Sequence, residues 1–328
     1  MTLKTIYHKL NTINQQLNTL KYLQLIRWKN LLMIALVQVL IKYALFEPFL
    51  KTTNLTITLN WFGFSLLVLA TVSLAAAGNI INDIFDVDTD KVNKPNQVLV
   101  GKTISEKTAY NLFIILNVVG VAIGFYLSNL IDRSGFSALF ILVSALLYIY
   151  ASYLKQMVLV GNIVVSLLVA FSIVIVGLYE LLPVITPENQ PTQTTFFEIL
   201  LDYAKFAFII NLIREIAKDL EDIDGDYKVG MNTLPIAIGR ERASRVLFAL
   251  MIVPVLGVAY YVLENLYKHQ IAVGYFLILV IGPLIYLCIK AFSAKAKKDY
   301  HHISQVLKLV MLFGMLSLLL YKYILITK

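Results

Sequence analysis

The chain has 328 residues, of which 59% are hydrophobic and only 15% are charged. This composition lies far outside that of soluble globular domains and excludes an ordinary cytosolic enzyme. The net charge of +8 by itself would allow a nucleic-acid-binding protein, but the positions of the basic residues attribute it to membrane orientation, so we expect no nucleic-acid partner.

Apolar runs close to the length that crosses a bilayer recur along the whole chain. They predict an all-α, polytopic membrane protein of about nine transmembrane helices. We expect one domain over residues 1–328, in which residues 1–29 form a cytoplasmic lead-in. The sixth run is the least regular, because Asp202, Lys205 and Asn211 interrupt it. The predicted spans are 30–47, 61–81, 109–131, 136–154, 157–179, 196–213, 244–263, 271–292 and 303–326.

Lys and Arg are divided unequally between the two sides of the membrane. With nine spans, the N-terminus and the loops after spans two, four, six and eight share one side. Counting the span ends Arg245, Lys290 and Lys322 with the side they adjoin, the N-terminal side carries twenty basic residues against five on the other. This positive-inside pattern predicts a multi-pass protein of the cell (plasma) membrane with its N-terminal side in the cytoplasm. Lys42 and Lys308 fall within spans, so we expect them to face the bundle interior or to extend to the interface, without a catalytic role.

Two acid-rich segments, 82–90 and 219–226, begin where spans two and six end. Each contains the pattern D-x-x-D-x-D-x-D, opened by Asp83 in the first segment and by Asp219 in the second. Because four spans separate the two copies, both emerge on the same side, which suggests two pseudo-repeated halves.

The spacing of these acids indicates a site for a hard cation. If the helix of span two continues past the bilayer edge, Asn82, Asp86 and Asp90 share one helical face, and Asp222 and Asp226 repeat the spacing. Carboxylates this close repel one another unless a cation lies between them, and oxygen ligands favour Mg²⁺ or Ca²⁺. An EF-hand calcium loop is disfavoured, because the positions that need Gly and Glu hold other residues in both segments.

Basic residues lie among the acids, as a diphosphate bridged by Mg²⁺ would require. Both segments also resemble a known family. The run from Gly78 to Pro95, G-N-x-x-N-D-x-x-D-x-x-x-D-x-x-N-x-P, resembles the first signature of the UbiA-type intramembrane prenyltransferases, and the run from Asn211 to Asp226, N-x-x-R-E-x-x-K-D-x-x-D-x-x-G-D, resembles the second. The detail is most similar to the digeranylgeranylglyceryl phosphate synthase branch. The sequence departs from that branch in the segment from Pro95 to Lys102, where a Pro- and Arg-rich run is usual. Lys102 there takes the place of an arginine.

The resemblance implies a nine-helix bundle around a central cavity, Mg²⁺ as cofactor, and transfer of an alkyl chain from a prenyl diphosphate, geranylgeranyl diphosphate above all. It implies a lipophilic acceptor, geranylgeranylglycerol phosphate or a similar isoprenoid glycerol phosphate, reached from the surrounding membrane lipids. The candidate catalytic residues are Asp86, Asp90, Asp222 and Asp226; the candidate metal ligands are these four with Asn82, Asp83 and Asp219; the candidate diphosphate- or substrate-binding residues are Arg27, Asn30, Lys94, Lys102, Lys155, Arg214 and Lys218.

Other functions compete with this one. An aromatic prenyltransferase of quinone biosynthesis would share the donor site. A secondary transporter could also have two related halves, but its site would lie near the bilayer midplane instead of at the ends of two spans. A membrane alcohol phosphotransferase needs D-x-x-D-G-x-x-A-R, which has no contiguous match here. A solvated acidic loop is the bland alternative for either segment. Against it, both segments begin where an apolar span ends, and the positive-inside pattern gives no reason to concentrate acids there.

The odd number of predicted spans makes a topological prediction. In a variant in which Cys288 is replaced, single cysteines introduced near Asn93 and Lys228 should react with a membrane-impermeant maleimide from the same, cytoplasmic side. Labelling of the two positions from opposite sides would show that the number of spans between them is odd, not four as predicted.

Overall fold

The structure, a computed structural model, describes residues 19–326, with the backbone alone for the last two. Residues 1–18 of the predicted lead-in lie outside this range, and residues 19–25 are helical. Within the described residues the protein is almost entirely helical and has no β-strand, which confirms the all-α prediction. The helices are α1 (Trp28–Phe49), α2 (Trp61–Phe85), α3 (Val87–Asn93), α4 (Glu106–Leu130), α5 (Ser134–Ser152), α6 (Val160–Val184), α7 (Gln190–Lys228), α8 (Leu234–Ile238), α9 (Arg240–Leu266), α10 (Gln270–Ser293) and α11 (Lys297–Ile324).

Eight of these helices are long and apolar enough to cross a membrane, as far as the described part of the chain goes. They coincide with eight of the nine predicted spans. The remaining prediction, 196–213, falls inside α7, a helix of 39 residues. Acids and bases along α7 keep it outside that set of eight, and one pair of them, Asp202 and Lys205, forms an exposed ion pair at 2.9 Å.

Two apolar cores fill the bundle, and α7 contributes to both. The first core joins α1, α2 and α6 to the first half of α7, and the second joins α9, α10 and α11 to the second half. Helices in lipid approach closely where small residues lie at the contact. Gly120 of α4 is such a position, because a Cβ there would lie 2.7 Å from Cγ of Leu74 on α2.

The two acid-rich segments differ in backbone shape. The helix of span two does not continue unbroken, because Asp86 leaves helical geometry (φ −93°, ψ 1°) between α2 and α3. The condition for placing Asn82, Asp86 and Asp90 on one helix face is therefore not met. The acids of the second segment, from Asp219 to Asp226, do lie on one continuous helix, α7.

A buried ion pair joins α1 to α6 at the other end of the bundle. The Lys42 ammonium lies 2.7 Å from Oε1 of Glu180, and their side chains are 2% and 0% exposed. Lys42 also donates to the carbonyl of Leu59 (2.5 Å), and the amide of Leu59 donates to the second Glu180 oxygen (2.9 Å). Lys42 thus faces the interior, as predicted, and both charged groups are compensated.

Candidate active site

The first acid cluster begins with an ion pair between Arg27 and Asp83. The Arg27 guanidinium donates to Oδ1 of Asp83 at 2.6 Å. Arg27 precedes α1 in the left-handed backbone region (φ 53°), which a residue with a side chain rarely adopts. The Asn79 amide donates to the carbonyl of Ile26 (2.9 Å) and ties this turn to α2. The unusual turn is thus held where it brings Arg27 to the acids.

Asp86, at the break between α2 and α3, is held on both carboxylate oxygens. The Asn82 amide donates to Oδ2 at 2.6 Å, and the Lys155 ammonium donates to Oδ1 at 2.5 Å. Lys155 lies in the turn between α5 and α6, and its side chain is only 8% exposed. Gly161 allows the close approach of that turn, since a Cβ there would lie 2.6 Å from Cα of Lys155.

Asn93 at the end of α3 joins the first segment to the second. Its amide nitrogen donates to the carbonyl of Asp222 (2.9 Å), and its amide oxygen accepts from the backbone N–H of Gly225 (3.0 Å). The neighbouring Lys94 donates to Oδ2 of Asp222 at 2.5 Å. These three contacts hold α3 against the C-terminal end of α7.

The acids of the repeated pattern D-x-x-D-x-D-x-D divide into exposed and buried positions in the same way in both segments. Its third acid points to solvent each time: the side chains of Asp88 and Asp224 are 82% and 81% exposed. Asp86 and Asp222, by contrast, are 18% and 16% exposed. The exposed acids therefore have solvated surface roles, and the inward acids remain as site candidates.

The two clusters lie close enough to act on each other electrostatically. Burial raises the pKa of Asp90 to about 6, and the charge of Asp86 adds to the rise. Burial likewise raises the pKa of Asp226, which lies beyond the predicted span, to about 8, with contributions from Asp219, Asp222 and Asp86. Because Asp86 belongs to the first segment and Asp226 to the second, the acids form one electrostatic unit.

The donor set of this unit fits Mg²⁺ that is bound together with a phosphate ligand. Among residues 19–326, no three Asp, Glu, His or Cys side chains lie together as a complete metal site. Mg²⁺ is usually held by one or two carboxylates and by substrate phosphates, so a complete protein cage is not required. Two buried oxygens, Oδ1 of Asn82 and Oδ1 of Asp222, lack a hydrogen-bond donor. Hard oxygen atoms without a donor are suitable ligands for such an ion.

The remaining predicted residues lie in four different surroundings. Asp219 accepts from the Asn162 amide (2.9 Å) on α6 and belongs to the acid unit. Arg214 and Lys218 share the carboxylate of Glu215, at 3.2 Å and 2.7 Å. Lys102, by contrast, is exposed and donates to the carbonyl of Pro95 (2.7 Å), so the structure places it on the loop and in no contact with the acids. The partly buried Asn30 donates its backbone N–H to Arg27.

Two residues of α11 extend this site beyond what the sequence predicts. Lys297 lies 3.8 Å from Asp222 and donates to the carbonyl of Asn93 at 3.1 Å. His301 lies 3.0 Å from the buried Glu221. The local sequence gives no signal for these contacts, because the partners lie on α3 and α7.

Comparisons with known proteins agree with the geometry. The model of the UbiA prenyltransferase family matches residues 54–313. Digeranylgeranylglyceryl phosphate synthase of Methanosphaera stadtmanae is 32% identical over 74% of this chain and 81% of its own length. The protein of the same name from Methanococcoides burtonii is 30% identical over 90% and 97%. The solved structure of a UbiA homologue from Archaeoglobus fulgidus bound to DMAPP and Mg²⁺ has a TM-score of 0.53 at 17% identity, over 91% of this chain and 99% of that one.

The junction between α3 and α7 should depend on the absence of a side chain at Gly225. In Gly225→Ala the new Cβ would lie 2.4 Å from Cγ of Asn93, so Asn93 must leave and both of its hydrogen bonds are lost. Spin labels at the exposed positions Asp88 and Tyr227, in a background without Cys288, should report a longer and broader distance distribution. Gly257→Ala, where a Cβ meets nothing within 4 Å, is the control and should leave the distribution unchanged. An unchanged distribution in Gly225→Ala would contradict the role of Asn93 as the link.

Proposed function

The chain belongs to the UbiA prenyltransferase family, and on this premise we propose that it transfers a prenyl group from a prenyl diphosphate to an isoprenoid glycerol phosphate in a Mg²⁺-dependent reaction. The observation that carries the proposal is the meeting of two aspartate clusters, Asp86 with Asp90 and Asp222 with Asp226, at the α3–α7 junction. Relatives that match most of this chain are named digeranylgeranylglyceryl phosphate synthase. That name supports geranylgeranyl diphosphate as donor and geranylgeranylglycerol phosphate as acceptor.

The inward aspartates supply the carboxylate oxygens that a metal-bound diphosphate needs. Asp86, Asp90, Asp222 and Asp226 are the central ligands of the proposal, with Asn82, Asp83 and Asp219 beside them. Bound Mg²⁺ would neutralise the charge that develops on the leaving diphosphate. The UbiA homologue from Archaeoglobus fulgidus was solved with DMAPP and Mg²⁺, which supports the same donor class and metal here.

Lysines contribute the remaining positive charge at the leaving group. The ammonium groups of Lys94 and Lys155 lie on Asp222 and Asp86, one on each cluster. Each therefore stands next to the proposed diphosphate position without further movement of the backbone. Preorganised charge of this kind stabilises a transition state more than the ground state.

The reaction is a substitution at C1 of the prenyl chain. The bond between C1 and the diphosphate oxygen breaks, and its electron pair leaves with the diphosphate. The hydroxyl oxygen of the acceptor forms the new ether bond to C1, and its proton is balanced by protonation of the released diphosphate. The apolar bundle beside the site limits access of water, which would otherwise capture the allylic cation.

We further propose that the site faces the cytoplasm and that the protein lies in the cell membrane. The proposal rests on the excess of Lys and Arg on the side that carries both aspartate segments. It places the charged donor headgroup in water and the prenyl chain among lipids.

Product analysis tests the activity directly. The purified protein with Mg²⁺, geranylgeranyl diphosphate and a mixture of geranylgeranylglycerol phosphate, 4-hydroxybenzoate and a dihydroxynaphthoate should yield the digeranylgeranyl ether phosphate, identified by mass spectrometry. A chelator should abolish the product, and added Mg²⁺ should restore it. Prenylation of either aromatic acid without the ether product would assign the protein to a quinone branch of the family.

A double-mutant cycle tests whether both clusters act on one diphosphate. Asp86→Asn and Asp222→Asn should each reduce the rate of diphosphate release by about two to three orders of magnitude. The double variant should be scarcely slower than either single variant, because both residues act on the same leaving group. Asp88→Asn and Asp224→Asn, whose exposed side chains belong to the same two segments, are the matched controls and should retain nearly full activity. A near-normal rate in Asp222→Asn would leave the second segment without a role in the chemistry.

A further inference from the structure

A second charged region, of opposite sign, adjoins the aspartates. We define the basic cluster as Arg27, Lys29, Arg214, Lys218 and Lys308. Carboxylates compensate only part of it: Asp83 pairs with Arg27, and Glu215 is shared by Arg214 and Lys218. Neither Lys29 nor Lys308 forms an ion pair with any described residue. The five cations of the cluster thus form ion pairs with only two carboxylates.

The register of two antiparallel helices places Lys308 opposite Arg214. Near the cytoplasmic end, His301 of α11 contacts Glu221 of α7. Deeper in the bundle, a Cβ at Gly314 of α11 would lie 2.4 Å from Phe206 of α7. Facing residues on antiparallel helices keep a nearly constant sum of residue numbers, and these two pairs have nearly the same sum. Lys308 and Arg214 lie between the two pairs and have the same sum as His301 and Glu221. From His301 to Lys308 the helix makes about two turns.

The electrostatics agree with that register. Lys308 is partly buried, and Arg214, Lys29 and Arg27 are near enough for their charges to act on its ammonium. Arg214 is largely buried, with a side chain that is 16% exposed, and its Nε is a buried donor without an acceptor. Repelling cations and a donor without an acceptor in one place indicate that a further anion belongs there.

We propose that the basic cluster binds the phosphate group of the lipid acceptor, with Lys308 and Arg214 as its principal contacts. This inference rests on the proposed function and specifies how it selects its substrate. A phosphorylated lipid would be preferred over a neutral lipid alcohol, because only the phosphate supplies the missing negative charge.

The position of the cluster suits the acceptor more than the donor. Along α7, Arg214 lies eight residues before Asp222, which is about 12 Å towards the membrane interior. The donor diphosphate belongs with the inward aspartates, so its prenyl C1 lies on the membrane side of them. An acceptor whose hydroxyl reaches C1 would carry its phosphate only a few bonds away, near the level of Arg214 and Lys308.

Binding measurements distinguish the acceptor from the donor as the source of the anion. We would titrate the full-length protein in detergent, by calorimetry, with geranylgeranylglycerol phosphate, with the same lipid lacking phosphate, and with geranylgeranyl diphosphate plus Mg²⁺. Lys308→Met should weaken binding of the phosphate lipid about tenfold or more, leave the neutral lipid unaffected, and change donor affinity less than about twofold. Lys308→Arg should restore most of the binding. Lys205→Met is the control, since Lys205 lies on α7 but is 74% exposed and paired with Asp202.

Two results would overturn the inference. One is equal binding of the phosphate lipid and the neutral lipid by the unmodified protein. The other is a loss of donor affinity in Lys308→Met as large as the loss of acceptor affinity, which would assign the cluster to the diphosphate. The proposed function fails separately: Lys308-dependent binding of the phosphate lipid without formation of an ether product would retain the anion site and reject the reaction.

Discussion

Charge balance at the end of the bundle that carries the aspartates determines where α3, the C-terminal end of α7 and the turn at Lys155 lie. Six aspartates, on two segments far apart in sequence, approach one another there, and without compensation they would repel. Lys94 and Lys155 supply part of that compensation, and Asn93 ties the two segments together through the backbone of α7. The junction therefore holds negative charge in place that its own side chains do not neutralise.

In the buried pair of Lys42 and Glu180, by contrast, the charges are fully compensated. Its two charges match, and a hydrogen bond with Leu59 satisfies each side chain once more. Such a closed arrangement connects helices and leaves nothing for a ligand. The aspartate unit and the basic cluster differ from it in being incomplete, with buried oxygens that lack donors in one and cations that lack anions in the other. Incomplete compensation, more than the mere presence of charge, separates a binding region from a structural one.

The two incompletely compensated regions carry opposite charges, so each suits a different substrate of the proposed reaction. In the proposed reaction the acids would bind the donor diphosphate through Mg²⁺, and the basic cluster would bind the phosphate of the acceptor. α7 carries parts of both regions on one rigid helix and packs into both apolar cores. The distance between the two headgroups is thereby set by helix geometry instead of by a mobile loop.

Composition and hydropathy alone determined the membrane class and eight of the helical spans, because a bilayer demands long apolar helices whatever their neighbours are. The repeated acidic pattern, and the even number of spans between its two copies, predicted one acidic site on one side of the membrane. The sequence did not determine which acids point inward. Asp86 and Asp88 belong to the same acidic pattern, and only the backbone break at Asp86 and the packing of α3 on α7 decided that Asp86 is the buried one. Contacts between elements distant in the chain place Lys297 and His301 at the site, although the sequence did not predict them. Lys102, which the sequence did predict, contacts its own loop instead. The opposition of Lys308 and Arg214 likewise depends on the register of α11 against α7, which side chains along the whole interface fix together and no local motif encodes.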